Sequence, residues 1–129
     1  IGFLDAMPSH FDASQPVSVV SVDPGPRHAM GAGIFQMLVD ETLGSTVATQ
    51  FIGHIPPSKA APHRHLYEEA LVVLSGNGCF WTDNLKANVK AGDVVFLPRK
   101  VRHSFQAVDD DGLDLVGVIY PGDNPSVNY

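Results

Sequence analysis

At 129 residues the chain has room for one domain with its own hydrophobic core. Its 44% hydrophobic and 17% charged residues exclude a disordered chain, and no run of ~18 apolar residues is present to cross a membrane as a helix. A formal net charge of −6 argues against nucleic acid or anionic membrane as a partner held through a broad basic surface.

The single cysteine, Cys79, excludes an internal disulfide and points to a reducing compartment, the cytoplasm. Residues 1–7 show no basic segment of the kind that opens a secretory leader. Residues 1–15 are the least strand-like and read as an N-terminal arm, followed by one domain over 16–129. Residues 17–22 are a β-branched run closed by Asp23-Pro24-Gly25-Pro26, which predicts a strand and a turn. Residues 34–39 form a second apolar run, and 46–55 a third, stopped by Pro56-Pro57.

Residues 71–74 run into Ser75-Gly76-Asn77-Gly78, which reads as a hairpin loop feeding 79–82. Asp83-Asn84 is the next turn, and residues 94–97 follow Gly92-Asp93. Residues 101–108 come after Pro98, and 113–120 close the series after the acidic loop 109–112. About nine short, nearly evenly spaced strands are expected, the pattern of an all-β sandwich or barrel. The run Ala70-Leu71-Val72-Val73-Leu74 is apolar on both faces. Such a strand meets a core on one side and a second sheet or subunit on the other, and with the arm it suggests a homodimer.

The chemistry concentrates in Pro62-His63-Arg64-His65-Leu66-Tyr67-Glu68-Glu69. Two histidines two apart diverge on a helix but share a face on a strand, and the nearby prolines disfavour helix. The pair is therefore assigned to a strand, with Arg64 turned away. Six residues of straight strand from His63 to Glu69 would span roughly 20 Å. Ligand atoms lie only about 2 Å from a shared ion, so the chain must bend around residues 66–68 if Glu69 is a ligand. Glu69 then shares its face with Leu71 and Val73. His103 follows Pro98 by five residues and shares parity with Phe105. His10, His28 and His54 read as ordinary surface or core histidines.

The stretches His63-x-His65-x3-Glu69-x6-Gly76 and Gly92-x5-Pro98-x4-His103 resemble, in order and spacing, the two motifs of the cupin superfamily. With the region between them they span residues 57–107. Pro57, Lys100 and Ala107 stand where the motifs usually carry Gly, Gly and Asn, which bears on local loop shape. The resemblance implies an all-β double-stranded β-helix, or jelly-roll, barrel of the small single-domain type. It implies one divalent metal ion (Fe, Mn, Ni, Cu or Zn) on His63, His65, Glu69 and His103, and small cupins are in general dimers.

Of the aromatic residues, Phe51, Phe105 and Tyr120 are the candidate walls of a substrate pocket, while Phe35, Phe80 and Phe96 are chiefly core candidates. The first functional expectation is a metal-dependent oxidoreductase, dioxygenase-like, acting on a small organic molecule. The second keeps the ion as a Lewis acid for isomerisation, elimination or decarboxylation, with Glu68, Tyr67 and Tyr120 as the only acid/base candidates. The third is a non-catalytic module that binds or senses a small ligand. A fold shared by so many chemistries does not choose among them.

Overall fold

The computed structural model describes residues 17–22, 27–59 and 61–126. The proposed arm and the turn at 23–26 therefore lie outside the described residues, as does His10. Ten strands are formed: β1 (His28–Met30), β2 (Gly33–Val39), β3 (Thr49–Ile55), β4 (Ser58–Lys59), β5 (Glu68–Ser75), β6 (Asn77–Thr82), β7 (Lys86–Lys90), β8 (Val94–Leu97), β9 (His103–Ala107) and β10 (Leu113–Tyr120). They make a six-stranded sheet in the order β1-β2-β3-β10-β5-β8 and a four-stranded sheet in the order β4-β9-β6-β7. Every strand pairing is antiparallel. This is the expected all-β jelly-roll barrel.

The core follows from period-two alternation. In β5, Glu69, Leu71 and Val73 are buried while Glu68, Ala70, Val72 and Leu74 are exposed. In β10, Leu113, Leu115, Gly117 and Ile119 face inward. The inward residues Phe51, Leu71, Val73 and Leu115 meet Phe80, Val89, Phe105 and Ala107 of the other sheet in one hydrophobic cluster. Non-directional burial of those side chains holds the two sheets face to face.

Three local expectations need correction. Residues 17–22 form no strand, and Val17 and Val19 are 95% exposed. β-branched residues favour a pleated, half-buried surface, and no neighbouring strand among the described residues offers one. Residues 75–78 are not a hairpin loop, because β5 and β6 belong to different sheets. Gly76, at φ +92°, carries the chain over the barrel edge, where a Cβ would collide with the Gly112 carbonyl oxygen. The third run starts at Thr49 rather than Thr46, after a single 3-10 turn at Glu41–Leu43.

No helix among the described residues is long and apolar enough to cross a membrane.

Candidate metal centre

The first two histidines sit in a connector rather than in a regular strand, which corrects the expected local structure but not the direction of the side chains. His63 forms an isolated antiparallel bridge with His103, the first residue of β9. His65 is pinned from another side, its carbonyl accepting the Lys100 N–H at 2.7 Å. Lys100, where the motif usually has Gly, adopts φ +67°, the left-handed conformation that Gly takes most readily. The chain then bends at Leu66 and Tyr67 and enters β5, as the reach from His63 to Glu69 demands.

One ligand atom from each of His63, His65 and His103 lies within 4.8 Å of the others. Their ring centroids are 4.4 to 5.1 Å apart. His65 stacks on Tyr67 at 4.5 Å and 12°, and the buried Tyr67 hydroxyl donates to the Pro125 carbonyl. The Nδ1 atoms of His63 and His103 each lie 2.9 Å from a backbone carbonyl, of Ala61 and Val101 respectively. A carbonyl only accepts, so each Nδ1 carries the proton and each Nε2 keeps its lone pair for an ion.

Glu69 lines the same cavity as the three histidines but falls outside their tight cluster. It is 6% exposed, and burial alone pushes its carboxyl up to about 7. Its side chain makes no hydrogen bond or ion pair with the described residues. Burial, the backbone hydrogen bond to Val101 notwithstanding, drives His103 down to about 4, with the neighbouring His63 and His65 adding to the fall. A carboxylate buried beside clustered imidazoles is costly unless a cation compensates it. A divalent cation among the three histidines would also offset the buried charge of Glu69, so the residues present fit the ion that the motifs imply. The N3O donor set suits first-row divalent metals.

The cavity is about 260 Å³. Phe51 and Phe105 line it, with Leu71, Leu115 and Ile55. Tyr120 is not among its walls: it is half exposed on the outward face of β10, in register with the exposed Glu68. Period-two alternation from Ile119, which is fully buried, sends it there. Phe96 likewise points outward. Missed in the sequence was the β1–β2 hairpin, whose residues Met30, Gly31, Ala32 and Gly33 form part of the cavity wall. Gly31 and Gly33 beside an apolar run were the available turn signal. His28 and His54 stay away from the cluster, His54 Nδ1 lying 2.7 Å from Asp114 Oδ1.

Fold and site together define a small β-barrel with three histidines clustered closely enough to hold a metal ion. Residues 51–119, more than half of the chain, match the cupin domain family model, and the chain belongs to that family. An uncharacterized protein of Methanocaldococcus jannaschii is 34% identical over 65 residues, 50% of this chain and 52% of that one. The chain thus spans about half the length of this curated relative.

Among solved structures, one described as a predicted oxalate decarboxylase from Thermotoga maritima is similar with a TM-score of 0.71 and 21% identity. The match covers 81% of this chain and 99% of that one. The polyketide cyclase RemF of Streptomyces resistomycificus gives 0.72 at 16% identity, over 88% of this chain and 82% of its own. Oxalate decarboxylase of Bacillus subtilis gives 0.74 at 18% identity, over 88% of this chain and 33% of its own. At these identities the likeness is one of fold.

Proposed function

We propose that the protein is a metal-dependent oxidoreductase, dioxygenase-like, that binds a first-row divalent ion at His63, His65, Glu69 and His103 and acts on a small organic molecule. The observation that carries this reading is the poverty of the cavity in acid/base groups. Apart from the four ligand candidates, its polar side chain among the described residues is Ser58, whose hydroxyl donates to the Pro56 carbonyl. Glu68 and Tyr120 face outward, and Tyr67 is engaged with Pro125. Lewis-acid isomerisation or elimination needs a proton carrier beside the substrate, whereas oxygen chemistry draws its reactivity from the metal.

A bound ion would supply a redox-active, Lewis-acidic centre with open positions. The chain's own part is to hold the His63 and His103 imidazoles in the Nδ1-protonated form, to give a carboxylate, and to exclude water. Phe51, Phe105 and Leu71 would pack against the substrate's apolar part. With no Lys or Arg among the described residues of the cavity wall, a compact substrate with little charge suits it better than a polyanion. The single Cys79, whose Sγ lies 3.2 Å from Asn88 Oδ1, suits a reducing compartment such as the cytoplasm.

One observation favours a second reading. Glu69 stands apart from the three-histidine cluster with its carboxyl near neutrality. An ion on the histidines alone would leave Glu69 as a general acid/base for Lewis-acid chemistry, decarboxylation included.

The test is to load metal-free protein with Fe, Mn, Ni, Cu or Zn in turn and to screen small organic compounds with and without O2. Oxygen uptake with a redox-active ion and none with zinc supports the oxidoreductase. Turnover that ignores oxygen removal, with zinc competent, moves the assignment to Lewis-acid chemistry. No turnover, with an ion that chelators fail to extract, would leave a binding module with a structural metal.

A further inference from the structure

We infer that Tyr67 positions two parts of the site at once: its ring fixes the plane of the His65 imidazole, and its hydroxyl latches a strap, residues 121–126, that closes one wall of the metal cavity. The inference rests on the metal centre proposed above and names a residue that sets the size of ligand it takes.

The role of the ring follows from spacing. Tyr67 stands two residues after His65, in the bend before β5, and lies flat against it, the centroids 4.5 Å and the planes 12° apart. The last side-chain torsion of a histidine is soft, so its ring plane is defined by what packs on it. Tyr67 is 2% exposed and therefore held in place by its own surroundings. A His65 imidazole that turned would drive an edge into this ring. His63 and His103 are oriented in another way, through their Nδ1 bonds to backbone carbonyls.

The role of the hydroxyl follows from where β10 ends. Beyond Tyr120 the chain is tied first to the start of β3: the Gly122 N–H donates to the Val47 carbonyl at 2.9 Å, and the Thr49 hydroxyl donates to the Asp123 carbonyl at 3.1 Å. Two residues further on, the Pro125 carbonyl accepts the Tyr67 hydroxyl at 3.3 Å, next to the start of β5. β3 and β5 are the two neighbours of β10, so the strap is pinned on both flanks of the strand it leaves. A turn in which Asn124 Oδ1 accepts the Ser126 N–H and hydroxyl stiffens its far end.

Pro125 belongs to the wall of the metal cavity, while Asn124 and Ser126 line a second, more open cavity of about 670 Å³. The strap is the partition between them. The second cavity carries Asp40, Glu41 and Asp123, whereas the wall of the metal cavity is mostly apolar. With the latch closed the metal cavity keeps its 260 Å³ and takes short ligands; with the latch released it gains room from its neighbour. At 3.3 Å the Tyr67 bond is long for a hydroxyl donor, so it gives way at small cost.

The test separates the two roles. Tyr67→Phe keeps the ring and loses the hydroxyl, Tyr67→Leu loses both, and Thr49→Val removes the strap's other pin. Hydrogen exchange in metal-free protein should speed up about 5- to 10-fold at residues 122–126 in Tyr67→Phe and in Thr49→Val, with β6 unchanged as the internal control. Loaded with cobalt, Tyr67→Phe should keep the wild-type metal affinity and absorption bands but favour hexanoate over acetate about 10-fold more than wild type does. Tyr67→Leu should lose about 10-fold or more in cobalt affinity and shift the bands. Should it misfold, Tyr67→Met takes its place and is read the same way. Exchange unchanged in both latch variants, or the same hexanoate-to-acetate preference in wild type and Tyr67→Phe, overturns the latch. Wild-type affinity and bands in Tyr67→Leu overturn the positioning of His65. A wild type that takes up no cobalt refutes the metal centre itself, and exchange in the metal-free chain still decides the strap.

Discussion

His63 and His103 are held together by their backbones: the His63 N–H donates to the His103 carbonyl at 2.9 Å, and the His103 N–H returns the bond at 2.8 Å. Two candidate metal ligands, forty positions apart in the chain, are thus placed by peptide groups, which leaves their imidazoles free for chemistry. The centre's geometry is consequently a property of the fold and should outlast the loss of any one ring.

That separation of backbone from side chain predicts the behaviour of ligand variants. His63→Ala and His103→Ala should each lower metal affinity by about 100-fold or more while retaining the β-sheet circular dichroism spectrum. Wild-type protein should gain about 3 kcal/mol of stability at a free metal concentration 100 times its Kd, and lose it to a chelator. Metal analysis and thermal melts check both; a variant that keeps one equivalent of ion removes that histidine from the ligand set.

In metal-free protein, Glu69 and His103 should pull stability in opposite directions as pH changes. Glu69, raised to about 7, stays protonated in the folded state while the unfolded carboxyl ionises, so its contribution falls as pH rises from about 4.5 to 7. His103, lowered to about 4, stays neutral when folded while the unfolded imidazole takes up a proton, so its contribution rises from about pH 4 to 6.5. Each effect is on the order of 3 kcal/mol, and across the shared window they offset. Glu69→Gln should unmask a stability that climbs with pH over that range, and His103→Gln one that declines. Urea titrations at several pH values decide it; parallel profiles for wild type and both variants would refute the opposition.

Metal binding should also weaken below about pH 7, where Glu69 holds a proton that an ion must displace. Proton release on metal addition, measured in weakly buffered solution, is expected in wild type and reduced in Glu69→Gln.

Lys100→Gly should stabilise the protein by about 0.5–1 kcal/mol, since φ +67° strains a side-chain-bearing residue more than glycine. Lys100→Pro should do the reverse and loosen the centre, because it deletes the N–H that holds the His65 carbonyl. Chemical denaturation with metal titration checks both, and an unaltered or lowered midpoint for the glycine variant would count against strain at this turn.

Gly117 lies directly behind two residues of the cavity wall, Phe51 and Leu71. A Cβ there would lie 2.5 Å from Phe51 Cε1 and 2.8 Å from Leu71 Cδ2. Gly117→Ala should therefore displace Phe51, cost about 1–3 kcal/mol, and change the size of ligand the cavity accepts. Binding of carboxylic acids of increasing chain length to cobalt-loaded protein, followed by its absorption bands, reads the effect; an unchanged size preference with normal stability would show that Phe51 is not part of the limit.

Much of this was legible in the sequence because the side-chain rhythm of a strand is rigid. Parity placed Glu69 with Leu71 and Val73, and His103 with Phe105, and the spacing of the histidines demanded the bend now seen at Leu66 and Tyr67. Parity also carried the information that would have excluded Tyr120, since Ile119 beside it is the better core residue. The strand β7 escaped notice because Lys86 and Lys90 flank only Ala87 and Val89 as inward positions. The valines of 17–22 misled for the opposite reason: a residue's liking for a sheet cannot supply the neighbouring strand. How β5 and β6 part at Gly76 depends on contact with Gly112, far along the chain, and no local pattern encodes it.

The candidate ligands come from both halves of the barrel, Glu69 from the six-stranded sheet and His103 from the four-stranded one. An ion on both would rivet the two halves across their seam, closing the chain between them into a ring as a removable crosslink does. Filled and empty molecules would then differ in how readily the barrel gapes, and limited proteolysis would tell them apart without any knowledge of the substrate.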